Sequence, residues 1–334
     1  MRRRISPDCR VFFDVFAGTG VVGRHFKQQG FRVVANDIQY YAYCLNRAQL
    51  GINRMPRFSN LPVDRNGHRC RLDAVLAHLS GLPGIEGFVF QHYCPDGHKS
   101  KGKGRKYFTN VNGLRCDAIR LKIEEWRSFG LLSESEYFYL LACLIDGMDR
   151  VANTASVYAA YLKQFKKTAR NPLRLTPLPI IWSEYRHSAF NENGSDLVRR
   201  VPCDVMYMDP PYNHRQYCTN YHVLETIARY DQPKVYGTTG LRPHEDQKSE
   251  FCRKRRALPT LDAMVSDAQA RHIFLSYSSE GLMPKRDIED TLGQYGPVEV
   301  VSRDHSRFRA DSDSAKRVYK ADRVEEYLFY LDKS

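Results

Sequence analysis

The run "DVFAGTGVVG" (14 to 23) limits what this chain can fold into more than any other stretch. It sets Gly18, Gly20 and Gly23 in a G-x-G-x-x-G arrangement between an apolar segment, Val11 to Phe16, and a helical one, Val21 to Gln29, that Gly30 ends. The first reads as a buried strand, and Phe31 to Ala35 follows the helix as a second strand. A strand–helix–strand opening predicts an α/β fold with a parallel sheet and a right-handed crossover.

Glycine lets the backbone approach a ligand at the carboxyl end of the first strand, where open α/β sheets bind small molecules. The spacing matches the dinucleotide fingerprint, although a tight turn without a ligand also satisfies it. At the end of the second strand, Asn36-Asp37-Ile38 brings a carboxylate that can accept hydrogen bonds from both hydroxyls of a ribose. The pair therefore points to an adenosine-containing ligand, either NAD or S-adenosylmethionine. Asp14, near the end of the first strand, favours the second, because it would attract an ammonium and repel a pyrophosphate.

From about Tyr40 to Ile180 the strand–helix grammar lapses, and Pro, Gly and polar residues dominate Asn53 to Asn112. The run "HKSKGKGRKY" (98 to 107) reads as exposed and flexible until it meets a partner. Helices are expected over Asp117 to Ser128 and after Ser133, whose spacing to Glu136 is that of a capping box. The grammar returns at Asp204. Arg271 to Ser278 and Val298 to Ser302 read as strands, Pro284 to Leu292 as a helix, and "VEEYLFYL" (324 to 331) as a last strand in an antiparallel hairpin.

With 334 residues, 42% of them hydrophobic, the chain suits one large α/β domain carrying an insertion, or two domains. Its formal net charge of +13 favours a polyanionic partner, nucleic acid ahead of a membrane surface. The nine cysteines form no Cys-x-x-Cys pair, and no leader or membrane span is evident, so reduced thiols and a cytoplasmic location are expected. His92, Cys94 and His98, flanked by Cys70 and Cys116, match no zinc spacing, and no metal is expected.

The second constraint is "MDPPYNHRQY" (208 to 217), directly after the apolar strand that Asp204 opens. Two prolines stop the strand and stiffen the turn between an acid and a tyrosine. The turn thus fixes the Asp209 carboxylate, the Pro210 backbone carbonyl and the Tyr212 ring together at the end of that strand. A plain surface turn with a packed tyrosine is the alternative.

With "FAGTG" first and "DPPY" after a long intervening segment, the chain resembles the amino-methyltransferases of nucleic-acid bases, most closely the Dam-like DNA adenine-N6 methyltransferases. "VVANDI" (33 to 38), "KIEEW" (122 to 126), "YHVLETIARYD" (221 to 231) and "YSSEGL" (277 to 282) carry the likeness further. The resemblance implies a Rossmann-like class I methyltransferase fold, a mainly parallel seven-stranded sheet with a C-terminal antiparallel hairpin. It implies a catalytic domain over 1–45 and 176–334 and a helical target-recognition insertion over 46–175.

By the same resemblance, S-adenosylmethionine would meet Asp14, Phe16, Ala17, Gly18, Thr19, Gly20, Asp37 and Ile38, with Phe16 near its sulfonium. Asp209, Pro210, Pro211 and Tyr212 would do the chemistry: an adenine amine is a poor nucleophile because its lone pair is delocalised, so Asp209 and the Pro210 carbonyl would accept its hydrogens while Tyr212 stacks on the flipped base. Where the family has an acid reaching the cofactor's adenine, this chain has Asn193, with Asp196 an alternative. Ten residues precede Val11, and the family's Lys-containing segment there would be absent, further upstream, or replaced by Arg2 to Arg4 or Arg10.

Duplex DNA is the expected partner. Asn213, Arg215, Gln216 and Tyr217 would hold the flipped strand, and Lys101, Lys103, Arg105, Arg309 and Arg317 its phosphates. The whole reads as a monomeric adenine-N6 methyltransferase, either of a restriction system, with an endonuclease acting separately, or a solitary relative. RNA adenine-N6 or DNA cytosine-N4 transfer, a NAD-dependent oxidoreductase and an inactive DNA-binding relative are the other readings.

Overall fold

The computed structural model describes residues 1–65, 67–98, 104–306 and 323–333. Lys101, Lys103, Arg309 and Arg317 lie outside the described residues. The chain forms two compact units: Met1–Ile38, Tyr185–Tyr217 and Asp246–Ser334 in one, Gln39–Glu184 and Cys218–Glu245 in the other.

The first unit is built on seven strands: β1 (Val11–Asp14), β2 (Arg32–Asn36), β3 (Ser188–Phe190), β4 (Val205–Met208), β5 (His272–Ser278), β6 (Val298–Ser306) and β7 (Arg323–Asp332). Their order is β3-β2-β1-β4-β5-β7-β6. β7 alone runs against its neighbours β5 and β6, so the expected mainly parallel sheet with an antiparallel C-terminal hairpin is present. Register sets Asp14 beside Ala35 of β2 and Tyr207 of β4, so these strands end along one edge.

Alternation along the strands sorts the side chains onto two faces. One face carries Phe13, Met206, Met208, Leu275, Phe329 and Leu331, which pack with Leu261, Met264 and Val265 of the helix Lys254–Asp267. The other carries Phe12, which stacks on Phe26 of the helix Val21–Gln28 with ring centroids 3.8 Å apart. Asp14 is two residues further along that second face.

The second unit is helical, with helices over Tyr40–Gln49, Arg71–Ser80, Phe88–Tyr93, Asn110–Ser128, Glu134–Arg150 and His222–Arg229. Two of its helix starts are held by buried acids. Glu225 accepts from the backbone N–H of Tyr40 and Tyr41 at 3.1 and 2.9 Å, and Asp117 from those of Val89 and Phe90 at 2.9 and 2.8 Å. No helix among the described residues is long and apolar enough to cross a membrane.

Several expectations need correcting. The polar stretch from Asn53 to Asn112 contains two helices, because Leu72, Val75, Leu76 and Leu79 on one, and Phe88, Val89 and Phe90 on the other, bury an apolar stripe. The run 98 to 107 is not exposed at its C-terminal end: Tyr107 is fully buried and its hydroxyl donates to the Tyr158 carbonyl at 2.7 Å. The helix expected from Asp117 begins at Asn110, where Thr109 caps it.

The capping box at Ser133 and Glu136 forms as read, each side chain bonding the other's backbone N–H. Ser133→Ala is expected to lower stability by about 1 kcal/mol, read as a shift in the urea unfolding midpoint with unchanged slope.

Candidate active site

β1 leaves the sheet through Phe16, Ala17, Gly18, Thr19 and Gly20. Gly18 and Gly20 have φ of 51° and 75°, the left-handed region that favours glycine, and Gly20 is the N-cap of the helix Val21–Gln28. The turn is closed by Gly20 N–H donating to the Ala17 carbonyl at 2.8 Å. It is tied to β2 by Ala17 N–H on the Asn36 carbonyl, and by Gly18 N–H on the Asp37 carboxylate, both at 2.8 Å.

Asn36, which sequence reasoning passed over, holds this region together. Its buried amide donates to the carbonyls of Val15 and Glu192, and its oxygen accepts from Glu192 N–H, each at 3.1 Å. Asn191 adds a bond to the Asp37 carbonyl at 2.8 Å. Gly194 completes the packing, since a Cβ there would press on Val15 Cγ1 at 2.8 Å. Asn193, exposed, caps the short helix Gly194–Leu197 by accepting from Ser195 N–H at 3.0 Å, and Asp196 is exposed beside it.

Asp14 is 1% exposed, and neither of its carboxylate oxygens has a hydrogen-bond partner. Burial, then the charges of Asp209 and Asp37, push it up to about 8; the Gly23 N–H lowers it slightly without forming a hydrogen bond. A buried acid left in this state is poised for a cation. Phe16 packs edge-on against Phe251 with centroids 5.6 Å apart. The Ile38 carbonyl accepts from Gln247 at 3.3 Å.

The Asp209-Pro210-Pro211-Tyr212 turn is pinned from behind. The Tyr212 carbonyl accepts from Leu282 N–H at 2.8 Å and from the Tyr277 hydroxyl at 3.4 Å, and that hydroxyl accepts from Met283 N–H at 3.2 Å. Gly281 permits this, because any Cβ would fall on the Tyr277 ring. Asp209 is open to solvent although protein crowds it on most sides, and it makes no hydrogen bond to a described residue. That crowding, then the charge of Glu326, lifts it to about 6. Tyr212 is partly buried against the core of the first unit.

The residues expected to hold DNA divide. Asn213 accepts from Arg215 N–H at 2.9 Å, which shapes the turn and leaves the Arg215 side chain exposed. Gln216 is tied to Ser249 by reciprocal bonds of 3.1 and 2.8 Å, a structural task, and Tyr217 is half-buried. Arg105 corrects the expectation of a phosphate contact: it is 5% exposed, and its guanidinium donates to the carbonyls of His92, Gly237 and Thr238. Among the described residues no group of three His, Cys, Asp or Glu is placed to hold a metal ion.

Comparison with known proteins matches residues 2–290 to the D12 class N6 adenine-specific DNA methyltransferase family. The type II methyltransferase M.NlaIII of Neisseria lactamica is 40% identical over 325 residues, covering 97% of this chain and 91% of the relative. M.CviAII of Paramecium bursaria Chlorella virus 1 is 36% identical, covering 98% and 92%. M.FokI of Planomicrobium okeanokoites is 37% identical over all of this chain, which spans 50% of that protein.

Asp14 gives a stability test. Its folded-state pKa is raised above the unfolded value near 3.8, so its contribution is fully present below about pH 4 and is lost as pH rises through about 8. Asp14→Asn is therefore expected to be more stable than the parent at pH 8 without ligand, by on the order of a few kcal/mol, and to unfold at a higher temperature. Melting curves from pH 5 to 9 should show that margin growing up to about pH 8 and levelling off above it.

Proposed function

This chain belongs to the D12 class N6 adenine-specific DNA methyltransferases, and we propose that it takes its methyl group from S-adenosylmethionine and modifies duplex DNA within a restriction–modification system. The observation that carries the reading is Asp209: an exposed carboxylate without a hydrogen bond, on a proline-stiffened turn fixed through the Tyr212 carbonyl. The family excludes the NAD-dependent alternative raised by the three glycines.

S-adenosylmethionine supplies a methyl group made electrophilic by a sulfonium. Asp14 suits its ammonium, since both carboxylate oxygens are buried and unpartnered. Asp37, already orienting Gly18, would take the ribose hydroxyls, and Phe16 would pack near the sulfonium. Asn193 would stand near the adenine ring. Asp209 and the Pro210 carbonyl accept the hydrogens of the N6 amine and Tyr212 stacks on the flipped base. Aligning the amine and favouring the positive charge that develops on it are the two effects this turn contributes.

Asn213 and the exposed Arg215 would meet the flipped strand, and Lys101, Lys103, Arg309 and Arg317 the phosphates. The first compact unit is read as catalytic and the second as the part that recognises the target sequence. The protein would act as a cytoplasmic monomer, with a separate endonuclease cutting unmodified DNA. The names of M.NlaIII and M.FokI as type II methyltransferases support the restriction–modification setting.

Expression in a methylation-free bacterial host, followed by long-read mapping of modified bases, should reveal N6-methyladenine in one short sequence context. Asp209→Asn should fold yet lower transfer by at least about a hundredfold; undiminished modification would overturn the role given to Asp209. Binding of S-adenosylmethionine should release a proton from Asp14 below about pH 8. Calorimetry in buffers of different ionisation enthalpy reads that release, and Asp14→Asn should abolish it.

A further inference from the structure

Glu326 lies on β7, outside both motifs, and no step described so far uses it. Sheet register gives its position. Tyr207 of β4 pairs with Phe274 of β5, so the alternation on β5 continues through Ser276 to Ser278 on the face that carries Tyr207. Ser278 pairs with Glu326, which in turn pairs with Arg303 of β6. Continuing the alternation of β4 sets Asp209 with Tyr207 rather than with Met208. Asp14, paired with Tyr207, is on the same face. Three carboxylates from β1, β7 and the end of β4 therefore share one face, near the edge where β1 and β4 stop.

We propose that Glu326 is a further positioning residue of the methyl transfer, a second negative group on the face of Asp209 that strengthens Asp209 as the acceptor of the N6 proton. When the amine has gained its methyl group, nitrogen carries the positive charge. The N–H bond breaks with its electron pair staying on nitrogen, and the proton passes to the Asp209 carboxylate. A neighbouring negative charge makes that transfer more favourable.

Around Asp209 and Glu326 the other titratable groups come from β1, β4, β6 and the segment after β5. Asp14 of β1, pushed up to about 8, is protonated near pH 6 and adds no charge there, and Glu280 adds negative charge at Tyr212. Tyr207 and Tyr212 are neutral phenols, held so first by burial. Arg303 is the cation beside Glu326 in the register; it is exposed on β6 and forms no ion pair with Glu326. The charge of Glu326 bears on Asp209 and Tyr212 next after burial, and on Tyr207 only behind burial, Asp209, Ser276 and Asp14, as its place in the register opposite Ser278 implies.

The proposal rests on Asp209 as the acceptor. The experiment follows single-turnover methylation of unmethylated genomic DNA, with radiolabelled S-adenosylmethionine, as a function of pH. The parent is expected to lose rate on an acid limb centred near pH 6, where Asp209 takes up a proton. Glu326→Gln should move that limb down by roughly half a pH unit or more, with KM for DNA unchanged, and Glu326→Asp should restore it. Should Glu326→Gln fail to fold by circular dichroism, Glu326→Ala serves for the same comparison.

A limb that stays in place without the Glu326 charge, in a protein that Asp209→Asn inactivates, overturns the proposal and leaves the role of Asp209 intact. Activity retained by Asp209→Asn, or a parent with no acid limb, overturns the reading of Asp209 and this proposal with it.

Discussion

The amide of Asn36 is the interaction on which the first unit's functional edge depends. One side chain bonds the carbonyl that leads out of β1 and both backbone groups of Glu192, in the loop after β3. It thereby fixes three chain segments that lie far apart in sequence. Its neighbour Asp37 can orient Gly18 because Asn36 has already set the end of β2. Losing such a group leaves several buried polar atoms unpaired at once, each costing about 1–3 kcal/mol.

The acids of this protein fall into two kinds by what surrounds them. In the helical unit Glu225 and Asp117 are buried but saturated: backbone N–H groups at helix starts meet them, Arg229 adds a bond to Glu225, and the Tyr230 hydroxyl one to Asp117. In the sheet unit Asp14 is equally buried and meets no donor, and Asp209 is crowded yet open. Saturated acids organise a fold, whereas unsaturated ones store an unfavourable field that a cation relieves. Both kinds occur in the sheet unit, where Asp37 accepts from Gly18 N–H and Asp204 from the backbone N–H of Arg10 and Val11.

How much of this the sequence disclosed depended on range. β1, the glycine turn, the Ser133 capping box and the last hairpin are signalled by residues within a few positions of one another, and each formed, although β1 stops at Asp14 rather than Phe16 and the hairpin's first strand runs on from Ser302 to Ser306. The helix Lys254–Asp267 was hidden by its internal Pro259; it survives because Ala257, Leu261, Met264 and Val265 are buried. β3 is three residues long, too short to show alternation, and exists through its pairing with β2. Arg105 looked like part of a basic run, but the three carbonyls it serves come from His92 and from residues more than a hundred positions away. Asn36, Tyr277 and Glu326 were likewise illegible, since each acts on a segment that no local pattern brings near.

The support behind the Asp-Pro-Pro-Tyr turn carries an evolutionary consequence. Tyr277 reaches the Tyr212 carbonyl only because position 281 has no side chain, so neither residue is free to vary alone. Replacing Gly281 displaces the ring, and shrinking Tyr277 removes the reason for glycine while releasing the turn. Chains descended from a common ancestor with this one should therefore exchange the two positions together, and a search for covarying pairs would find this one from sequences alone.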